Sequence, residues 1–202
     1  VNGDVECVYT GRTATFNTRS GANANSFNTE HTFPQGFFSQ NEPMRSDIHH
    51  LFPTDVSANS QRGNDAFGLV SNPSWNQGGS KSGGGKFEPR DMQKGATARA
   101  MMYFVLRYQD YSNFFQGHQT ILYQWHNSFS PSSSEMQRNS DIAAVQNNRN
   151  PFVDYPQFMD RMRALVGSGD LPPVYDFYYS DDTIQLARGN TGISTYSFLV
   201  YN

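Results

Sequence analysis

Three stretches decide the predicted fold: Asn28-Thr-Glu-His-Thr-Phe-Pro34, Asp47-Ile-His-His-Leu-Phe-Pro-Thr-Asp55 and Ala58-Asn-Ser-Gln-Arg-Gly-Asn64. The residues around the first two stretches predict a pair of strands over 26–33 and 46–52. The third stretch lies in a predicted short helix over about 56–66. Two paired strands followed by a helix would return the third stretch to the first.

The functional groups in these stretches are a carboxylate beside an imidazole, and an amide on the returning helix. A hard divalent cation takes oxygen ligands from carboxylates and amide carbonyls. A neutral histidine that is not a ligand can deprotonate a water in line with a phosphate. Glu30, Asn59 and His31 supply these three parts. The pattern predicts a phosphodiesterase that uses one metal ion.

The same residues resemble the bacterial endonuclease I family, secreted and periplasmic nucleases with a ββα-metal (His-Me finger) core. Further matching segments follow in the family's order over about residues 26 to 158. They are Phe87-Glu-Pro89, Lys94-Gly-x-x-Ala-Arg99 with Tyr103, Trp125-His126, Glu135-x-x-Arg-Asn139 and Gln146-x-Asn-Arg-Asn-Pro-Phe-Val-Asp154. The resemblance implies an endonuclease that hydrolyses DNA, and often RNA, with little sequence preference. Cleavage would leave 5′-phosphate and 3′-hydroxyl ends.

Carried over residue by residue, the resemblance implies that His31 is the general base and that Glu30 and Asn59 are metal ligands. Mg2+ is the expected ion, and Ca2+ or Mn2+ could occupy the same site. The better-known members carry a transition-state arginine in a long insertion before the Asp-x-His segment. That insertion is reduced here to residues 35–46, which leaves Arg45 as the candidate for this catalytic role.

The net charge of −3 is low for an enzyme that acts on nucleic acid, because phosphate contacts normally need a basic footprint. Basic residues nevertheless concentrate in or beside the family segments: Arg45, Arg62, Arg90, Lys94, Arg99, Arg138 and Arg149. We therefore expect a polarised charge map. Arg62, Arg99, Arg149 and Asn150 are the predicted phosphate-binding residues. Solvated arginines, a salt bridge at Arg99 and a structural clamp at Arg149-Asn150 are the alternatives.

Composition indicates one enzyme domain, predicted over residues 1–170, and a β-rich tail or truncated accessory domain over 171–202. Of the 202 residues, 36% are hydrophobic and 14% aromatic, which is enough for one core. A mean hydropathy of −0.67 without a long apolar run excludes a membrane span. The single Cys7 excludes an internal disulfide. We expect a processed, secreted or periplasmic monomer with DNA or RNA as its substrate.

The predicted fold class is α+β, with a ββα-metal core, a mainly helical second subdomain and a short β-rich tail. Residues 4–18 predict strands with a turn near Gly11, and the glycine-rich segment 71–86 predicts a flexible loop. Four helices should follow: one after Asp91 with a methionine-rich buried stripe, one around 121–125, one from 132 and one from Pro156. In the third, Met136, Ile142, Ala143 and Val145 should face inward.

Two other function classes fit parts of the sequence. A zinc hydrolase could use His31, His49 and His50 as ligands, although the helical His-Glu-x-x-His motif is absent. An exported, noncatalytic module that binds nucleic acid or glycan would agree with the aromatic-rich tail. In the nuclease reading, Asp47 and His49 brace the strand pair by hydrogen bonds, and His50 has no assigned role.

Overall fold

A computed structural model gives the structure of residues 3–108 and 114–160, together with the backbone of three later strands. The chain divides into two compact units, Val1–Met159 and Asp160–Asn202. Helices and mostly antiparallel strands occur together, which agrees with the predicted α+β class. Within the described ranges, no helix has the length and apolar character needed to cross a membrane.

The chain begins with a small strand pair, as predicted. β1 (Asp4–Glu6) pairs with β2 (Thr13–Thr15) in antiparallel register, and Gly11 lies between them with a φ of +76°. α1 (Arg19–Ala24) follows, and its first turn is capped by Thr18, whose hydroxyl accepts a hydrogen bond from a backbone N–H at 3.1 Å.

The second strand pair and the helix after it form the unit that the sequence predicts around the candidate site. β3 (Phe27–His31) pairs in antiparallel register with β4 (Leu51–Asp55). α2 (Val56–Arg62) follows β4 without a loop and stops at Gly63, whose φ of +50° is not helical. Asn59 therefore returns to the side of β3 on a helix of only two turns.

The second of these strands begins later than the predicted range of 46–52. Met44–Ser46 and Ile48–His50 form short 3-10 turns instead. The Asp47 carboxylate caps the second turn by accepting a hydrogen bond from the His49 backbone N–H at 3.0 Å. A short side chain that bonds to nearby backbone competes with strand pairing, so extended structure starts only after these turns.

A four-stranded sheet occupies the segment predicted as a flexible loop, so that prediction is wrong. Its strands, in the order β5-β8-β7-β6, are β5 (Ala66–Phe67), β6 (Trp75–Gln77), β7 (Ser80–Gly83) and β8 (Lys86–Glu88). Gly78 and Gly79 have φ values of 60° and 93°, and Gly84 and Gly85 have 61° and 72°. Pairs of positive φ angles are what tight hairpin turns require, so these glycines make turns and not a loop.

Helices dominate the rest of the first unit: α3 (Asp91–Tyr108), α4 (Gln119–Ser128), α5 (Ser133–Gln146) and α6 (Pro151–Asp154). α3 lies in the core, because Met101 and Met102 have no exposed surface and the Phe104 ring stacks on Phe33 at 4.2 Å. The methionine-rich stripe is therefore core, as predicted. Most of the helix predicted from Pro156 lies outside the described residues.

α5 starts as predicted but buries a narrower stripe. The Ser132 hydroxyl accepts a hydrogen bond from the Glu135 backbone N–H at 3.1 Å, as in a capping box. Ile142 is buried, whereas Met136 is 48% exposed and Val145 is 75% exposed, so the prediction that they face inward is wrong. The inner face is instead partly polar, since it also carries the buried Asn139.

Three strands are described in the second unit. β9 (Tyr175–Ser180), β10 (Thr183–Arg188) and β11 (Ser197–Leu199) form an antiparallel sheet in the order β11-β10-β9. The β structure predicted from the alternating aromatic residues of this segment is present. The predicted domain boundary after residue 170 falls outside the described residues.

His118 is buried among aromatic rings in the first unit. Its ring centroid lies 4.5 Å from that of Phe114 and 6.0 Å from that of Phe67. Neither ring nitrogen has a hydrogen-bond partner within the described ranges. Burial, and secondarily the charge of Arg62, lower the pKa of His118 to about 4. The folded protein therefore holds this histidine neutral.

We expect this histidine to make the protein less stable in acid. The imidazole titrates near 6.5 in an unfolded chain, so the unfolded state binds more protons as the pH falls from about 6.5 to about 4. Between pH 7 and pH 5 the loss should be about 2 kcal/mol in the free energy of unfolding. Urea unfolding of the wild type and His118→Leu at both pH values measures this loss. An equal loss in the variant would contradict the expectation.

Candidate active site

Asn59 lies against the face of β3 that carries Glu30. Side chains alternate along a strand, so Asn28 and Glu30 share a face. Asn59 Nδ2 donates to Asn28 Oδ1 at 3.0 Å and to the Thr29 carbonyl at 3.1 Å. Because a carbonyl only accepts, this contact fixes which amide atom is nitrogen. Asn59 Oδ1 accepts no hydrogen bond from the residues that the structure describes.

Glu30 is buried and is held by one of its two oxygens. Oε1 accepts a hydrogen bond from the Tyr9 hydroxyl at 2.8 Å and lies 3.3 Å from Arg62 Nε. Oε2 accepts no hydrogen bond within the described part of the chain. Burial raises the pKa of Glu30 to about 7, against the opposing effects of Arg62 and Tyr9. One oxygen is therefore held by the protein and the other is left for a ligand.

His31, the last residue of β3, is oriented by a backbone carbonyl. Its Nε2 lies 3.0 Å from the carbonyl oxygen of Arg45. A carbonyl only accepts, so in the neutral ring Nε2 carries the proton and Nδ1 carries the lone pair. Burial lowers the pKa of His31, although the hydrogen bond to Arg45 opposes this effect. The ring is therefore neutral near pH 7, with Nδ1 as its basic atom.

His50, which has no role predicted from sequence, packs against His31. Their ring centroids are 5.4 Å apart in an edge-to-face arrangement. His50 Nε2 donates to the Met44 carbonyl at 2.6 Å. Burial lowers the pKa of His50 to about 4. The neutral ring of His50 thus packs against His31, the candidate base, without placing a positive charge beside it.

The oxygens of this site fit a hard divalent cation better than zinc. Glu30 Oε2 and Asn59 Oδ1 are a carboxylate and an amide oxygen, the ligand types that Mg2+ prefers, and Mg2+ needs few protein ligands because it retains water. Across the described ranges, no group of three or more His, Cys, Asp or Glu side chains is arranged to hold a metal. His49 and His50 each contact a backbone carbonyl through Nε2, which does not support a zinc site with His31.

Asp47 braces the turns that precede β4, as predicted. Its carboxylate accepts hydrogen bonds from the hydroxyls of Tyr103 at 2.8 Å and Tyr108 at 2.7 Å, and from Gln146 Nε2 at 2.8 Å. Burial would raise the pKa of Asp47, but these hydrogen bonds lower it overall. The carboxylate therefore ties the segment that orients His31 to α3 and α5.

Two of the predicted phosphate-binding residues lie in the protein interior. Arg62 is 0% exposed and donates to the carbonyls of Thr32 at 3.0 Å and Asp65 at 2.7 Å. Arg99 is 1% exposed and donates to both carboxylate oxygens of Glu135 at 2.6 Å. A buried guanidinium needs such partners to offset its lost hydration. The burial of Arg62 and Arg99 therefore argues against the predicted contacts with substrate phosphate.

The Arg149-Asn150 turn divides between the interior and the surface. Asn150 is buried, accepts a hydrogen bond from the Phe152 backbone N–H at 3.0 Å and donates to the Arg99 carbonyl at 3.0 Å. These contacts favour the alternative of a structural clamp over the predicted phosphate contact of Asn150. Arg149 is exposed and donates to the Asp154 carboxylate at 2.7 and 2.8 Å. Its predicted phosphate contact stays a prediction.

The other basic residues of the predicted groove mostly have protein partners. Arg90 pairs with Glu6, Lys94 pairs with Glu88 and Asp91, and Arg138 donates to the carbonyls of Ile48 and Leu51. Arg45 is exposed beside His31. Of the seven basic residues in the family segments, only Arg45 and Arg149 thus remain at the surface as candidates for substrate phosphate.

Sequence reasoning missed Tyr9, the hydrogen-bond donor to Glu30. The residue pattern around it predicts strands but contains no indication of a contact with a residue 21 positions later. Folding creates the contact, because the Val8 backbone N–H donates to the Pro53 carbonyl at 3.0 Å and so joins the N-terminal segment to β4. A short signal in the sequence could not have revealed this pairing.

Comparison with known proteins identifies the family of this chain. The endonuclease I family model matches residues 1–157. The extracellular ribonuclease of Bacillus subtilis (strain 168) is 32% identical over 161 residues, covering 71% of this chain and 56% of that protein. The extracellular ribonuclease of Bacillus amyloliquefaciens is 31% identical over 162 residues, with the same coverage. This chain thus spans about half the length of these relatives. The resemblance inferred from sequence motifs is confirmed: the chain belongs to the endonuclease I family.

Proposed function

We propose that this chain is a metal-dependent, sequence-nonspecific endonuclease that hydrolyses phosphodiester bonds of DNA or RNA, leaving 5′-phosphate and 3′-hydroxyl ends. The observation that carries this proposal is the contact of His31 Nε2 with the Arg45 carbonyl. It leaves Nδ1 as a base on the residue next to Glu30, while Glu30 Oε2 and Asn59 Oδ1 accept no hydrogen bond within the described ranges. Membership in the endonuclease I family supports this reaction class.

In this mechanism His31 removes a proton from the water that attacks the phosphorus. The reaction needs a neutral imidazole, and burial of His31 favours that form. When Nδ1 takes the proton, the ring becomes a cation whose Nε2–H still points at the Arg45 carbonyl. The carbonyl dipole stabilises that cation, so the contact that orients the base also supports its protonated state.

Glu30 and Asn59 would hold the cation, with Mg2+ as the expected ion and Ca2+ or Mn2+ as substitutes. When bound, the ion offsets the negative charge that develops on the phosphate and the leaving oxygen. In this proposal β3, β4 and α2 are the ββα-metal, or His-Me finger, core. The direct connection between β4 and α2 supports it, since it sets the distance at which Asn59 returns to β3.

Arg45 is the proposed transition-state cation. It belongs to the turn whose carbonyl orients His31, so its backbone is fixed relative to the base. Its side chain is exposed, in contrast to the buried Arg62 and Arg99. A guanidinium in this place could contact a phosphate without leaving a buried partner unpaired.

The binding of nucleic acid should depend on salt through the surface arginines. Each neutralised phosphate contact changes the slope of log affinity against log salt by about one. Arg45→Gln and Arg149→Gln should each flatten the slope by up to about one, measured with duplex DNA of unrelated sequences in Ca2+. Slopes equal to that of the wild type in both variants would contradict a phosphate contact at either arginine.

Export is part of the proposal. Both relatives described above are named extracellular ribonucleases, which supports secretion and makes RNA a substrate to test beside DNA. We propose a secreted or periplasmic enzyme.

One digestion experiment tests the proposed function. Plasmid DNA and single-stranded RNA are incubated with the protein in Mg2+, in EDTA and in EDTA followed by excess Mg2+. Cleavage that EDTA abolishes and Mg2+ restores is the expected result. Stoichiometric bound zinc without nuclease activity would support the zinc hydrolase instead. Binding of nucleic acid without turnover would support the noncatalytic module.

A further inference from the structure

We infer that Tyr9 and Arg62 are positioning residues of the cation site: together they hold Glu30 Oε1, so that only Oε2 binds the ion. This inference rests on the proposed metal site. Two observations carry it. Tyr9 Oη and Arg62 Nε both approach the same oxygen, at 2.8 and 3.3 Å. Within the described ranges, the other oxygen receives no hydrogen bond.

The position of the Tyr9 hydroxyl oxygen is fixed by the packing of its side chain. The side chain is 1% exposed, and its ring centroid lies 4.6 Å from that of Phe87. Its backbone carbonyl accepts a hydrogen bond from the Ser80 hydroxyl at 2.7 Å, which ties this residue to β7. Ring and backbone are thus both fixed, and the hydroxyl donates to Glu30 from a set position. Tyr9 is the donor in this contact, because a phenol keeps its proton near neutral pH and the carboxylate oxygen accepts.

Arg62 connects the parts of the site to one another. Its guanidinium lies beside Glu30 and donates to the carbonyl of Thr32, so it contacts both neighbours of His31 in the chain. It is carried by α2, the helix that also carries Asn59 three residues earlier. Its central carbon lies 4.4 Å from the ring centroid of Phe67, which fixes the plane of the fork. One buried side chain thereby links α2, which carries Asn59, to the end of β3, which carries Glu30 and His31.

A carboxylate with one oxygen occupied coordinates a cation through the other, as a monodentate ligand. This geometry suits Mg2+, which demands short bonds in a regular octahedron, better than a bidentate carboxylate would. Partners that orient a ligand in this way typically change metal affinity by roughly 10- to 100-fold when they are removed. Removal of the Tyr9 hydroxyl alone should therefore weaken the affinity for the cation.

The test is the affinity for Mn2+ alone, measured by isothermal titration calorimetry without nucleic acid. Tyr9→Phe should bind Mn2+ roughly 10-fold more weakly than the wild type. Tyr103→Phe is the matched control, because it removes an equally buried hydroxyl that donates to the Asp47 carboxylate at the same distance of 2.8 Å. Its affinity should not change. Arg62→Lys retains the charge but not the fork, and it should also weaken binding.

The outcomes separate this inference from the proposed function. Wild-type affinity in both Tyr9→Phe and Arg62→Lys would overturn the inference. Equal losses in Tyr9→Phe and Tyr103→Phe would also overturn it, because the effect would then follow stability and not the contact with Glu30. Glu30→Gln tests the site itself. If this variant binds Mn2+ like the wild type, the proposed metal site fails, whatever Tyr9→Phe does.

Discussion

Replacing His31 with alanine is expected to lower kcat by roughly 100-fold or more while leaving cation binding intact, since a positioned base contributes about 10²- to 10⁴-fold. The structure gives the reason for this separation. The ring is anchored through Nε2 to the Arg45 carbonyl, and Nδ1 is the proposed base, so the mechanism does not need the imidazole as a ligand. Single-turnover cleavage in saturating Mg2+ measures the rate, and Mn2+ calorimetry measures the binding.

Added imidazole provides the control for His31→Ala. If the variant lacks only a base, millimolar imidazole should restore part of the rate, with a dependence on pH that follows free imidazole. Restoration should not occur in Glu30→Gln, whose defect is in the ion. Loss of bound metal in His31→Ala would make His31 a ligand and would revive the zinc site.

Loss of Glu30 is the other large effect. Glu30→Gln removes the charged ligand assigned to the cation, so Mg2+-dependent cleavage at limiting Mg2+ should fall by about 100-fold or more. The variant also leaves the buried Arg62 without its counterion. Breaking a buried pair from one side typically costs about 3–5 kcal/mol of stability. Thermal unfolding therefore gives the melting temperature of the variant, and cleavage is measured well below that temperature.

Asn59 allows the ligand to be tested with less damage to the fold. Asn59→Ala and Asn59→Asp both lose the two hydrogen bonds that Nδ2 donates to β3. Only Asn59→Asp retains an oxygen that can bind a cation. Cleavage that is lost in Asn59→Ala and restored by higher Mg2+ in Asn59→Asp would support a ligand. Equal activity in the two variants would contradict the assignment of Asn59.

For the candidate site, the sequence indicates the chemical groups more readily than the positions of the residues around them. The sequence indicates Glu30, His31 and Asn59 as candidates because carboxylate, imidazole and amide groups have distinct chemical roles, and the structure carries them on β3 and α2. Arg62 is predicted to bind phosphate because an arginine beside such a motif suggests a contact with the substrate backbone. Asn59 and Arg62 are three residues apart on α2, so one face of the helix carries both. With this helical spacing, Arg62 lies on the side of α2 that faces β3, where it contacts Glu30.

The misassigned segments share a physical cause. The glycine pairs of the segment 71–86 suggest flexibility by composition, whereas their positive φ angles make hairpin turns. A glycine permits both, and only strand pairing decides between them. The buried face of α5 includes Asn139, whose amide donates to the carbonyl of Asn150 at 3.2 Å. A prediction from the spacing of apolar residues does not identify a buried face that is partly polar.

The ion pair between Arg62 and Glu30 has a consequence for how ion and substrate bind. The guanidinium already neutralises the one charged ligand of the proposed cation site, so a divalent cation would enter a site with no net negative charge. A phosphate supplies the missing charge, and the cation and the nucleic acid should therefore bind cooperatively. Coupling between two ligands is reciprocal, so each should raise the affinity of the other by the same factor. An enzyme with the proposed site would acquire its metal mainly where nucleic acid is present.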